Sequence, residues 1–430
     1  MKASENLEKY RDEIVQTVLD LYSIDSDGNF TYEFRDWSKI LRYQNLLSYI
    51  LLKDENFENR FDEARYWFSF PKNPMTDDMI TKVIHQLKRE NEAGFEKCKI
   101  LLEKILQEAQ QEPFQDFDLY FFLDIEPSEN FSPFSVSLGK ISIDFFVIDS
   151  LKEPLSSPYF KVKLSFINDR MENKYPDTNT VGLHFRISAR NQFYAMKEGI
   201  KIAEFITSWI GLVNNFNTGP TYMFRHIHSY ENCPSLALLL VGNQDKECVG
   251  EIIWKFEGLQ KNCPIYPEQL RKFLSLYSEG SKDFQEILRS AVNAYSTGLH
   301  EDNMGSALLA FWAAIERLCL QDENLSHSNM LKRLDFLVSP ISKVEMNVLL
   351  DMRNKAIHQW DYDAIREHER HIVKSYADLL INFYLKHFTS FTQDEIRCFY
   401  SNRYCNSKQL EKLKKTNYNV FNLIMMMRNT

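Results

Sequence analysis

The spacing of apolar residues divides this chain into stretches of different texture. To about Glu112 they recur every three or four positions between charged residues. The clearest examples are "NLEKYRDEIVQTVLDLY" (Asn6 to Tyr22) and "DDMITKVIHQLKRENEAGFEKCKILLEKILQEAQQE" (Asp77 to Glu112). That period puts them on one face of a helix, so both stretches are predicted amphipathic helices. "RYQNLLSYILL" between them predicts a further apolar helix. Pro113 then ends the pattern, because proline cannot continue a helix interior.

From Pro113 to about 265 the runs become short, aromatic and β-branched. "FDLYFFLDI", "FSVSLGKISIDFFVID", "YFKVKLSFI" and "TVGLHFRISA" are separated by clusters of Pro, Asn, Asp and Ser. They read as strands of an antiparallel sheet. The helix "NQFYAMKEGIKIAEFITSWIGLV" follows, then two further strands, "SLALLLVG" and "VGEIIWKF". Strands followed by a packed helix predict a mixed β/α module.

Helical spacing returns from 266 to 390. In "NMGSALLAFWAAIERLCL", Met304, Leu308, Phe311, Ile315 and Leu318 form one stripe. "KDFQEILRSAVNAYSTGL" precedes it. After it come "SNMLKRLDFLV", an apolar helix from about Ile341 ending in "LLDMRNKAIHQW", and "DAIREHERHIVKSYADLLINFYLKHF", for which Asp363 is the predicted N-cap. Four or five helices with short connections predict a bundle. The fold expectation is therefore α+β and multidomain: a helical region over 1–112, a β/α module over 113–265, a helical bundle over 266–390 and a tail over 391–430.

Composition adds the compartment and the charge balance. With 430 residues the chain exceeds one typical core. The start is charged and carries no signal-peptide core, and "FITSWIGLVNNF" is too short to span a bilayer. Seven scattered cysteines without a Cys-x-x-Cys pair argue against a disulfide framework or a zinc module, and fit a soluble, cytoplasmic protein. The net charge is −9, which argues against a generally basic nucleic-acid coat. The charge is uneven, however. Residues 391–430 hold seven basic against three acidic residues, about +4, which leaves about −13 for the remainder.

Candidate chemistry centres on "LLDMRNKAIHQW", where Arg353 and His358 interrupt an apolar helix. This stretch, preceded by "ALLAFWAAIERL" and followed by a long final helix, resembles the HEPN helical domain, in particular its Apea-like branch. The mark of that family is Arg, a polar residue, a few more residues, then His, here Arg353-Asn354-Lys355-Ala356-Ile357-His358. The mixed β segment upstream is similar to the layout of antiphage proteins of the Apea type. The resemblance implies a metal-independent endoribonuclease that needs no cofactor, works as a homodimer on RNA such as tRNA, and answers a phage-derived trigger in abortive infection. It implies catalytic roles for Arg353 and His358. Asn354 is a candidate for holding phosphate or orienting the histidine, and Glu316 for bracing the arginine.

Side-chain chemistry agrees with that implication. An imidazole near its ordinary pKa of roughly 6.5 can both accept and donate protons near neutrality. A guanidinium stays charged and presents a fork to phosphate oxygens. Five residues on an ideal helix turn through about 140°, so Arg353 and His358 do not share a face. Two copies of the helix across a two-fold axis bring both pairs into one cleft. The helices carrying Trp312 and Met352 are the expected apolar part of that contact. Two other readings remain open. Arg-x-x-x-x-His also occurs in ordinary helices whose charged ends reach solvent. A HEPN bundle can also serve as a non-catalytic module binding a nucleotide or a protein.

The remaining motifs point elsewhere less strongly. "SIDSDGNFTYEF" places Asp25, Asp27 and Gly28 as a calcium loop does, but its twelfth position is Phe34, so an Asp-Gly turn is expected. His226 and His228 in "RHIHSY" have no carboxylate or cysteine nearby and read as a surface pair. His368 and His371 read as a solvated helix face, and Trp312 as core. No Gly-rich phosphate loop, Gly-x-Ser-x-Gly or His-Glu-x-x-His occurs.

Overall fold

The computed structural model describes residues 10–24, 30–31, 47, 74–91, 94–111, 113–128, 131–147, 180–216, 233–245, 247–254, 263–320, 327–334, 340–359 and 365–429. They fall into two compact units, one of residues 1–115 with 189–193 and one of 116–188 with 194–430. The first division falls after Gln115. No division appears near 265, because the sheet and the following helices share a core in the second unit.

In the first unit, α1 (Arg11–Asp20) buries Ile14, Val15, Val18 and Leu19, the four-residue stripe expected of an amphipathic helix. α2 (Pro74–Glu90) and α3 (Phe95–Gln111) complete the layer. Polar contacts close the helix ends. Asp12 Oδ1 accepts from the Phe95 amide at 2.7 Å, and Lys88 Nζ donates to the Leu19 carbonyl at 2.8 Å. β1 (Ser23–Ile24) and β2 (Phe30–Thr31) pair antiparallel. Asp25, Asp27 and Gly28 between them lie outside the described residues, as do Phe34 and most of "RYQNLLSYILL".

The second unit begins with a six-stranded sheet. Its strands are β3 (Gln115–Leu123), β4 (Phe134–Leu138), β5 (Ile141–Val147), β6 (Val181–Ala189), β7 (Leu236–Gly242) and β8 (Cys248–Ile253), in the order β4-β5-β6-β3-β7-β8. Pairs β4–β5, β5–β6, β3–β7 and β7–β8 are antiparallel. β3 and β6 also run oppositely: Thr180 Oγ1 donates to the Leu123 carbonyl at one end, and Arg186 reaches Asp118 at the other. The predicted strand "YFKVKLSFI" lies outside the described residues.

α4 (Gln192–Asn215) buries Ile206 and Trp209, whose ring meets Phe273 5.4 Å away, and it meets the sheet at Gly199. Gly199 is where it comes closest, since a Cβ there would lie 2.4 Å from Leu119 Cδ1. The backbones approach only because that side chain is absent.

The helical part contains α5 (Pro267–Glu279), α6 (Lys282–His300), α7 (Met304–Leu320), α8 (His327–Leu334), α9 (Pro340–Gln359) and α10 (Glu367–His387). The stripe read on α7 is buried: Leu308, Phe311, Ile315 and Leu318 are all enclosed. α6 and α7 lie close because Gly298 faces Phe311, whose ring a Cβ would meet at 2.8 Å. α10 begins at Glu367, four residues after Asp363, which lies outside the described residues. Its first turn is closed by Glu369, whose carboxylate accepts from the Arg366 amide at 2.9 Å.

A fully buried ion pair on α10 reaches the end of α4 by a hydrogen bond. Lys374 Nζ on α10 donates to Asp378 Oδ2 at 2.8 Å and to the Asn215 carbonyl at the end of α4 at 2.6 Å. Tyr295 of α6 donates to Asp378 Oδ1 at 2.7 Å. Burial pushes the Lys374 ammonium down against the pull of Asp378.

Residues 391–430, expected as a basic tail, fold into α11 (Gln393–Asn402), α12 (Ser407–Thr416) and α13 (Tyr418–Asn429). Ile396, Phe399 and Tyr400 are buried, and the Tyr384 and Tyr400 hydroxyls both donate to the Leu318 carbonyl at the end of α7. The positive charge was read correctly, but it rides on helices whose apolar residues face the core. Thr392–Glu395 and Asn406–Gln409 form capping boxes that start α11 and α12.

No helix among the described residues is long and apolar enough to cross a membrane. The seven cysteines are free, and six are buried. Burial pushes the Cys98, Cys263 and Cys319 thiols up to about 12, which makes them poor nucleophiles and poor ligands.

Candidate functional site

Met346, Leu349 and Ala356 are the buried residues of the described part of α9, and they follow one another at helical spacing. Arg353 falls on the same stripe, three residues before Ala356. It occupies a place where the packing calls for an apolar side chain, and its own side chain is only 15% exposed. A cation there needs a partner, because leaving one partly buried without compensation is costly.

The partner comes from α7. Glu316 Oε1 lies 3.1 Å from the Arg353 NH2 nitrogen, with the carboxylate side chain 26% exposed. The second terminal nitrogen, NH1, donates to Asn354 Oδ1 at 3.2 Å. The fork is therefore held from two sides and its direction is set before any ligand arrives. Three of the four residues singled out from the sequence, Arg353, Asn354 and Glu316, meet in one place. Asn354 turns its carbonyl oxygen to the arginine, a role other than either one considered for it. Asn354 lies in the described part of the helix, whereas the His358 side chain lies outside the described residues. The position of His358 follows from the helix alone: about 7.5 Å along the axis from Arg353 and about 140° around it.

Trp312, the other marker of this region, is 1% exposed and belongs to the core. That agrees with its reading as core and removes its ring from any contact between copies. The exposed apolar residues of α9 are instead Val344 and Val348, one turn apart, and Ile357. The signal that separates them is position on the helix, not hydrophobicity. A cleft of about 450 Å³ is lined by Asp283, Glu286, Arg289 and Asn293 of α6, Arg317 of α7 and Gln393 among others. Its two carboxylates and two guanidiniums balance, so it does not single out a phosphate.

The expectation for "REHERH" needs correction. His368 is exposed, but His371 is half-buried 3.4 Å from Glu367, and Arg370 is fully enclosed. Burial and the Arg370 charge push the His371 imidazole below its usual range. The segment is one edge of a buried helix rather than a solvated face. His226 and His228 lie outside the described residues.

A second polar cluster sits on the sheet. Asp118 of β3 takes two hydrogen bonds from Arg186 of β6, at 3.1 and 3.0 Å, and lies 2.9 Å from His184 Nε2. His184 stacks on Tyr120 with ring centroids 4.5 Å apart. Burial alone pushes the Asp118 carboxyl up, but the hydrogen bonds from His184 and Arg186, together with their charge, hold it below its usual value. A depressed folded-state value means stabilisation that is complete above the unfolded value and lost as pH falls through the folded one. On acidification from neutrality to roughly pH 3, wild type should therefore lose more urea-unfolding midpoint than Asp118→Asn does. Equal losses would show that the cluster adds nothing to stability.

Comparison of the chain with models of protein families, with curated proteins and with solved structures finds no match.

Proposed function

We propose that this chain is a metal-independent endoribonuclease of HEPN type, acting as a homodimer on cellular RNA such as tRNA in antiphage defence. The observation that carries the reading is the Arg353–Glu316 pair. A guanidinium placed at a core-facing helix position, and held there by a carboxylate 37 residues away, is an expensive arrangement for a helix that needs only an apolar residue. Such an arrangement has a use where a fixed cation must face developing charge.

The chemistry follows from the residues. The 2′-hydroxyl of the RNA attacks the adjacent phosphorus, so the O2′–P bond forms as the P–O5′ bond breaks. His358 takes the 2′-hydroxyl proton, and a protonated His358 of the second copy delivers one to O5′. Arg353 stabilises the extra negative charge on the phosphorane oxygens. Glu316 keeps the guanidinium aimed, as a positioning residue. Val344 and Val348 on the outer face of α9 supply apolar surface for the two-fold contact that joins the sites. The first unit and the sheet layer are then free to sense a phage-derived trigger and restrain the helices.

The test is incubation of the purified protein with total RNA in excess EDTA, with Arg353→Lys alongside. Wild type should cut with the chelator present. Lysine keeps the charge but cannot serve Glu316 and a phosphate with one planar fork, so cleavage should fall by roughly tenfold or more. Full activity in Arg353→Lys would leave Arg353 as an ordinary packed cation. No cleavage by wild type under any condition, including with chelator omitted, would remove the ribonuclease reading.

A further inference from the structure

α12 is an unusual helix for a folded domain. Leu413 is its only buried residue, and Lys408, Lys412, Lys414 and Lys415 are all exposed. Among the described residues no carboxylate forms an ion pair with any of the four; Lys414 lies over the Phe421 ring, 5.8 Å from its centroid. Lys408 and Lys412 are one turn apart, and Lys412 and Lys415 nearly so. Like charges at these spacings repel and weaken a helix, and Glu411, the one acidic residue of α12, offsets only part of that repulsion. The helix is nevertheless built firmly, with a capping box at its start and α13 folded back against it. A repulsive, well-held lysine face gains most when a polyanion covers it.

The surroundings specify the polyanion. Tyr404 precedes α12 and Tyr418 follows it, 66% and 60% exposed, and the Arg403 guanidinium lies over the Tyr404 ring at 4.7 Å. Exposed aromatic rings beside lysines suit bases stacked on a single strand. The neighbouring helix α11 is anchored at the end of α7, where Tyr400 donates to the Leu318 carbonyl two residues from Glu316. The only strongly positive segment of an otherwise acidic chain is thus tied to the helix that carries the arginine's brace.

We propose that the lysine face of α12, flanked by Tyr404 and Tyr418, is the docking surface that grips single-stranded RNA next to the Arg353 site. The proposal rests on the ribonuclease reading for its partner, but binding and cutting are read separately.

The experiment is fluorescence anisotropy of the full-length protein with a labelled, 2′-O-methylated single-stranded RNA, which binds but cannot cleave itself, over a series of salt concentrations. The variant is Lys408→Gln/Lys412→Gln/Lys415→Gln. Its control, Lys104→Gln/Lys272→Gln/Lys282→Gln, makes the same change of net charge at exposed lysines elsewhere. Loss of three phosphate contacts should reduce the slope of log affinity against log salt by about 2 for a single strand, while the control keeps the wild-type slope. Wild-type binding with equal slopes in both variants would overturn the surface and leave the ribonuclease reading intact. Binding through these lysines without cleavage of unmodified RNA would keep the surface and remove the ribonuclease reading. No RNA binding by wild type, or binding only to vesicles containing phosphatidylglycerol, would overturn the proposal.

Discussion

His358→Ala is expected to lower RNA cleavage by roughly 10²–10⁴-fold while leaving the circular-dichroism spectrum unchanged. Removing an imidazole takes away both proton transfers, because no other group with a pKa near neutrality stands in the same stretch of α9. His358 is the second-last residue of the helix, so its loss should cost little packing. Cleavage is read as the rate of product formation from a fixed RNA under single-turnover conditions. A His358→Ala protein that cuts as fast as wild type would reject the assignment outright. A variant that loses both activity and helicity would leave the role to His358→Gln, which keeps a polar side chain of similar length without a titratable group.

The second large effect belongs to the buried ion pair of α10. Asp378→Ala is expected to cost roughly 3–5 kcal/mol, because it removes the carboxylate that compensates the Lys374 ammonium buried beside Tyr295. The urea-unfolding midpoint measures it. Lys374→Met/Asp378→Leu removes both charges and should recover part of the loss. Recovery stays incomplete because the hydrogen bonds from Tyr295 to Asp378 and from Lys374 to the Asn215 carbonyl are lost. If Asp378→Ala stays within about 1 kcal/mol of wild type, the pair behaves as a surface salt bridge.

Much of the fold was legible along the chain. The switch from three- and four-residue spacing to alternation, and back, located α1, the stretch that becomes α2 and α3, the six strands of the sheet, α4, and α6 to α10. Periodicity is a local property, since a side chain's direction depends on the residues next to it. Pro113 ends the helical spacing for the same kind of reason, since its ring and missing N–H act on its own neighbours. Local spacing also brought Arg353, Asn354 and His358 to attention, because charged residues inside an apolar helix break its pattern.

Other features depended on residues far apart. The texture changes near 265, yet Lys374 of α10 donates to the Asn215 carbonyl at the end of α4, 159 residues away. The charge of residues 391–430 was correct and their form was not, because Ile396, Phe399 and Tyr400 become a helix face only when Leu318 and its neighbours are present to cover them. Arg370 reads as solvated in a run of charges and is enclosed, whereas Trp312 is enclosed as its sequence reading expects.

The sequence was sufficient for the elements, the charge pattern and the identity of the chemically able side chains, since each is a property of neighbouring residues. Which face of α9 is covered, and that Arg353 lies on it, came only with the packed chain, which also gives the 3.1 Å contact with Glu316 that the resemblance implies as a candidate pairing. Burial is decided by whatever element arrives from elsewhere, and a buried cation is tolerable only where a carboxylate arrives with it.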